Sequence, residues 1–112
     1  MKVAITSSPF GSSARTRLLL ALRLLSESYA RELARLLELN FSGVQKALRS
    51  LEADGLVAGR AAGRTRLYRL SPRAPARREL ESYLERLLES EGDLRSRAAG
   101  LRRRPRRTGK PL

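Results

Sequence analysis

Between Asn40 and Leu70 the spacing of apolar residues changes period once, and that change leaves few folds open to the chain. Val44, Leu48 and Leu51 repeat at intervals of four and three, the core stripe of a helix. From Thr65 to Leu70 the period becomes two, with Arg66, Tyr68 and Leu70 alternating against Leu67 and Arg69, as in a strand with two unlike faces. Asn40 is a good N-cap for a helix from Phe41 to about Ala53, because its side-chain oxygen can accept from an unpaired N–H of the first turn. Asp54-Gly55 ends that helix, since Gly takes the left-handed position past a helix end at little cost. Leu56-Val57-Ala58 then begins a strand, Arg60-Ala61-Ala62-Gly63-Arg64 makes a turn, and Thr65 to Leu70 returns.

Two helices are expected upstream. Ser12 or Ser13 caps a Leu-rich helix that ends near Leu25. Ala14, Leu18, Ala21, Leu22 and Leu25 share one stripe, and Leu19, Leu20 and Leu24 widen the apolar surface beyond it. Such a helix needs more than one packing partner. Ser26-Glu27-Ser28 is a break, with Ser28 as the cap of a helix from Tyr29 to Leu37 that turns Ala30, Leu33, Ala34 and Leu37 inward. Glu38-Leu39-Asn40 is a tight turn. Downstream, Pro72 and Pro75 mark a linker, and Arg77 to about Ser90 is a last helix with Leu80, Tyr83, Leu84, Leu87 and Leu88 along one side. The expected organisation is a lead-in over 1–12, in which Lys2 to Ile5 is a candidate strand, a folded unit over 13–76, a helix within 77–94, and a tail over 95–112.

Composition excludes several classes. The 112 residues suffice for one small domain, and a core of that size commonly gains stability by oligomerising. There is no Cys and no His, so thiolate or imidazole metal sites, disulfides and the commonest general base are absent. The longest apolar run, Leu18 to Leu22, is far too short to span a bilayer, and the N-terminus has no signal-peptide core. A soluble protein of the cytoplasm, associated with the nucleoid, is expected. The net charge is +13, and a polyanionic partner is the simplest complement to it. Of the basic residues 21 are Arg and only Lys2, Lys46 and Lys110 are Lys, a ratio that codon bias can write, so position rather than number must carry each assignment. The tail holds eight positive charges and no acid, together with Pro105, Gly109 and Pro111, and is expected to be disordered.

Two short helices joined by a three-residue turn and followed by a small hairpin make a winged helix-turn-helix: mainly α with a small β-hairpin wing, in the order α-α-α-β-β-α. The residues carry a resemblance as well. Leu33-Ala34-Arg35-Leu36-Leu37-Glu38-Leu39-Asn40 resembles the first helix and turn of the ArsR-like winged-helix regulators, with Ala34 where they need a small residue at the helix crossing. Val44, Leu48 and Leu51 match their recognition-helix core, Leu51-Glu52-Ala53-Asp54-Gly55-Leu56-Val57 resembles their exit into the wing, and Gly63-Arg64-Thr65-Arg66-Leu67-Tyr68-Arg69-Leu70 is similar to their wing tip and return strand. Three features depart from that pattern. Glu38 stands where Gly is usual, which implies a different backbone geometry in the turn. Phe41 occupies a usually polar position and is expected either to touch a thymine methyl or to staple the turn to the helix before it. Gly43 costs about 1 kcal/mol of helix stability against Ala and removes a side chain from the reading face. The metal-sensing residues of the ArsR group, Cys or His, are missing, so no metal and no cofactor is expected.

The resemblance implies a transcriptional regulator, expected to be a repressor that binds a palindromic site on double-stranded DNA as a homodimer, and not an enzyme. A major groove about 12 Å wide admits one helix, and Gln pairs with adenine while Lys or Arg pairs with guanine. The recognition-helix candidates are therefore Ser42, Gln45, Lys46 and Arg49. The wing candidates are Arg60, Arg64 and Arg66, within reach of phosphates or the minor groove. In the tail, Arg102, Arg103, Arg104, Arg106 and Arg107 are candidate phosphate contacts that add affinity through counterion release. Leu19, Leu20, Leu24, Leu80, Tyr83, Leu84 and Leu87 are the candidate dimer interface, because two helices carry more apolar surface than one small core covers. Two other readings stay open at this point: a protein–protein adaptor built on the same fold, and a general nucleic-acid binder that acts through the tail.

Overall fold

The computed structural model describes residues 9–103. Eight elements follow in order: α1 (Ser13–Leu25), β1 (Ser28–Tyr29), α2 (Ala30–Leu37), α3 (Phe41–Ala53), β2 (Val57–Ala62), β3 (Thr65–Leu70), α4 (Arg77–Leu88) and α5 (Gly92–Arg103). The expected helices and hairpin are all present, mainly α with one small sheet, and two elements, β1 and α5, are additional. The expected strand Lys2 to Ile5 lies outside the described residues.

Capping follows local chemistry. Ser12 caps α1, its side chain accepting from the Arg15 amide at 3.1 Å. Asn40 caps α3, accepting from the Gly43 amide at 3.0 Å. At α2 the cap position belongs to Tyr29, with no side-chain cap, and Ser28 is instead buried in β1. The reason is tertiary. Ser28 and Tyr29 pair antiparallel with Tyr68 and Leu67 of β3, which holds them extended, and the Ser28 hydroxyl donates to Glu32 at 2.6 Å.

The sheet order is β1-β3-β2. Strands β2 and β3 pair from Val57↔Leu70 to Ala62↔Thr65, so only Gly63 and Arg64 form the hairpin loop, three residues fewer than the expected turn. Gly63 has φ +65, as the first position of a two-residue II′-type hairpin requires, and a Cβ would strain it.

Helix α1 is the centre of the core. Leu18, Leu19, Leu20, Ala21 and Leu22 are all buried, because α2, α3, α4, α5 and β3 each pack on it. This corrects the expected dimer face. Leu19 and Leu20 are interior to one chain, as is Leu84 on α4, while Leu24, Leu80 and Leu87 are partly buried against the same core. Only Tyr83 remains a large exposed hydrophobic side chain among the described residues. The covering element is α5, which places Leu94 and Ala98 in the core. Residues 95–103, expected to begin a disordered tail, are thus a folded helix. Nor is Arg102 a tail residue: its guanidinium donates to both Glu32 carboxylate oxygens, at 3.1 and 3.2 Å, and to the Glu27 carbonyl at 2.6 Å. Arg103 is the last residue of α5, and Arg104, Arg106 and Arg107 lie outside the described residues.

The turn between α2 and α3 uses the backbone geometry that a glycine would use. Glu38 sits at φ 55, ψ 47, the left-handed region, and its backbone N–H closes the end of α2. The expectation of a different geometry is therefore wrong: the conformation is retained and a side chain bears its steric cost. Its carboxylate meets Arg97 of α5 at 3.0 Å.

Candidate nucleic-acid interface

Helix α3 is two-sided. Val44, Ala47, Leu48 and Leu51 face the core, and Ser42, Gln45, Lys46 and Arg49 are all exposed on one outward stripe. Thirteen residues make it about 20 Å long. The Ser42 hydroxyl donates to Asn40 Oδ1 at 2.7 Å, which reinforces the cap and leaves the serine oxygen as an outward acceptor. Gln45, Lys46 and Arg49 retain their donors.

The C-terminal end of α3 is held by arginines from two other elements. Arg15 of α1 donates to Ser50, to Asp54 at 2.7 Å and to the Phe10 carbonyl at 2.6 Å. Arg66 of β3 reaches Glu52 at 2.6 Å. The strand leaves room for it at Gly59, where a Cβ would lie 2.7 Å from Arg66 Nε.

The three wing candidates separate. Arg60 makes a two-pronged pair with Glu27, both contacts at 3.0 Å, and the hydrogen bonds it donates to Glu27 hold its guanidinium still more firmly protonated than usual. Arg66 is held in the same way by Glu52 and lies 5.7 Å from the Tyr68 ring centroid. Only Arg64, exposed at the hairpin tip, has no carboxylate partner among the described residues.

Carboxylates are distributed unevenly over the surface. Among the described residues nine arginines pair with an acid: Arg15, Arg23, Arg60, Arg66, Arg77, Arg86, Arg95, Arg97 and Arg102. Five of these belong to α4 and α5. None of the cations of α2 and α3 does so: Arg31, Arg35, Lys46 and Arg49 stand in solvent without an acidic partner among the described residues, as do Arg69, Arg73 and Arg78 elsewhere. An unneutralised guanidinium or ammonium on a helix face keeps both its charge and its donors for an anion. Of these unpaired cations the sequence named Lys46 and Arg49 as candidates and did not name Arg31 and Arg35. Their spacing of four on the side of α2 opposite Leu33, Ala34 and Leu37 was the available signal.

Phe41 packs partly against the core, and the Arg31 guanidinium lies over its ring at 4.2 Å from the centroid. Of the two expected roles, its contacts within the chain match that of a staple.

Comparison with solved structures follows this geometry. The chain is similar to reduced HlyU from Vibrio cholerae, with 32% identity and a TM-score of 0.58 over 70% of this chain and 76% of that one. It is also similar to a variant of ZitR from Lactococcus lactis in complex with DNA, with 25% identity and a TM-score of 0.56 over 80% of this chain and 63% of that one. The adhesin competence repressor AdcR from Streptococcus pyogenes shares the fold at 19% identity and a TM-score of 0.59, over 77% of this chain and 63% of that one. The chain thus spans just under two thirds of the ZitR and AdcR chains. No family model and no curated protein matches it. No helix among the described residues is long and apolar enough to cross a membrane.

Proposed function

The chain belongs to the winged-helix transcriptional regulators, and from that membership we propose that it is a repressor that binds a palindromic site on double-stranded DNA as a homodimer in the cytoplasm. The observation that carries the reading is the outward stripe of α3, where Gln45, Lys46 and Arg49 meet no carboxylate among the described residues while five arginines of α4 and α5 are paired with acids. Such a stripe offers bidentate donors to base edges. Arg64 at the hairpin tip supplies a wing contact. Arg60 contributes by exchanging its half-exposed Glu27 partner for a phosphate, a small step because pairs near the surface bind weakly, while Arg66 stays on Glu52 and sets the position of the wing. Arg103, Arg104, Arg106 and Arg107 add affinity that is blind to sequence.

The dimer face of this reading is smaller than the sequence suggested. Tyr83 stacks tilted on Phe10 at 5.8 Å between ring centroids, with the partly buried Leu80 and Leu87 on the same helix. A two-fold axis there sets the recognition helices about 34 Å apart, one turn of DNA.

Selection from a random DNA pool tests the reading, using the full chain and a chain ended at Arg103. Enrichment of one palindrome by both supports it. No enrichment by either leaves the adaptor, and salt-sensitive binding without enrichment leaves the general binder. Lys46→Ala and Arg49→Ala weaken selected DNA more than random DNA, because base contacts carry sequence and phosphate contacts do not. Sedimentation as a monomer at tens of micromolar would remove the dimer and the palindrome together.

A further inference from the structure

We propose that Arg31 grips a DNA backbone phosphate beside the start of α3, and that Phe41 is the platform holding it in position. The proposal rests on the DNA-binding reading above and adds Arg31, which neither that reading nor the sequence assigned, together with a supporting role for Phe41.

The argument starts from how the chain fixes its arginines. The paired ones are held by carboxylates, which order the side chain but occupy N–H donors and cancel the charge. Arg31 is held differently. Its guanidinium lies over the Phe41 ring at 4.2 Å from the centroid, within the range of a cation–π contact. Stacking uses the face of the guanidinium plane, while all its N–H donors lie in the plane and point outward from the edge. The side chain is therefore ordered with its charge and donors intact, the state needed to receive a phosphate in two-pronged fashion.

The neighbouring acids are all engaged elsewhere. Glu32, next in the chain, accepts from Arg102 and Ser28. Glu27 pairs with Arg60, and Glu38 with Arg97. Arg31 remains exposed despite three carboxylates within seven residues of it.

Position completes the case. Phe41 is the first residue of α3, directly before Ser42, where the polar stripe begins. Arg31 is the second residue of α2. A helix entering the major groove brings its first turn to the base edges, and the helix before it crosses the phosphates at the groove's rim. The stacked pair stands at that junction. An aromatic residue at this half-buried, usually polar position is then explained: it carries the arginine and need not touch the bases.

The test is equilibrium binding of the full chain to a selected duplex and to a random duplex, each over a range of salt. Arg31→Gln is expected to lose about ten-fold in affinity on both duplexes alike, with the salt slope reduced by about 0.9, the value of one phosphate contact. Phe41→Leu keeps the charge and loses the platform, so about a two- to five-fold loss is expected with little change in slope. Phe41→Tyr, which keeps an aromatic face, recovers most of that loss. Arg86→Gln on α4 serves as the charge-matched control, and circular dichroism verifies that each variant is folded. If Arg31→Gln leaves affinity and slope unchanged while Lys46→Ala still weakens selected DNA, the proposal is wrong and the α3 reading stands. If neither Arg31→Gln nor Lys46→Ala alters binding to either duplex, both fall. If Phe41→Leu lowers only the melting temperature while Arg31→Gln acts as expected, the platform is wrong and the phosphate contact stands.

Discussion

Replacing Leu94 by Ala tests whether α5 belongs to the folded unit. Leu94 has no exposed surface, and with Ala98 it is the part of α5 that enters the core around α1. Truncating a fully buried Leu removes its transfer energy and leaves a cavity, at a cost of about 2–5 kcal/mol. Small domains are stable by only about 5–15 kcal/mol in total, so a substantial part of the stability depends on this one side chain. For a domain of about this size each kcal/mol moves the midpoint by about 4–8 °C, and Leu94→Ala is expected to melt roughly 8–40 °C below the parent. A chain ended at Glu91 loses α5 entirely, exposes the side of α1 that α5 packs on, and is expected to be unfolded at room temperature. Ser96→Ala, an exposed change on the same helix, stays within about 0.5 kcal/mol. Urea titration followed by circular dichroism at 222 nm reads all three. Equal midpoints for Leu94→Ala, the shortened chain and the parent would refute the reasoning, since the segment would then be dispensable as a tail is.

Arg15→Ala is expected to lose about 1–2 kcal/mol, discounted for the exposure of Asp54, and to weaken DNA binding as the end of α3 loosens; urea midpoints and binding isotherms check both. Glu38→Gly relieves the left-handed strain and melts at least as high as the parent despite losing Arg97, whereas Glu38→Val melts lower because a β-branched residue fits that region worst. Zinc, cadmium or arsenite at micromolar concentration leaves DNA affinity unchanged, because the chain has neither Cys nor His and its described residues contain no group of acids that could hold a metal; fluorescence anisotropy with and without metal decides it.

The helix-turn-helix and hairpin were legible in the sequence because their signals are local. Asn40, the Val44-Leu48-Leu51 stripe, Gly55 and Gly63 each act within one turn of themselves. The missed features depend on partners distant in sequence. Strand β1 is two residues long and exists only through pairing with β3, so no period within Ser28–Tyr29 announces it. Helix α5 is rich in Arg, carries Gly100 and offers few apolar residues, so its composition resembles a disordered end, yet Leu94 and Ala98 meet a surface already built by α1 and α2. With α5 misread, Leu19 and Leu20 had no visible partner and were assigned to a dimer. The outward stripe of α3 was legible from periodicity, but the division of arginines into paired and unpaired was not. Arg60 and Glu27 are 33 positions apart, and Arg102 and Glu32 are 70 apart.

The middle strand of the sheet bears on how a duplex is measured. Strand β3 is paired at Leu67 and Tyr68 with β1 on one side and along its length with β2 on the other, and Arg66 ties it to α3 through Glu52. A swing of the hairpin as a whole therefore breaks the β1–β3 pairing and displaces Arg66. If Arg64 and Lys46 contact a duplex as proposed, the span between them acts more like the set gap of a caliper than like a hand that closes. On a duplex with such a reader the work of adjustment falls on the DNA, and sequences whose grooves already have the right width bind with the least deformation.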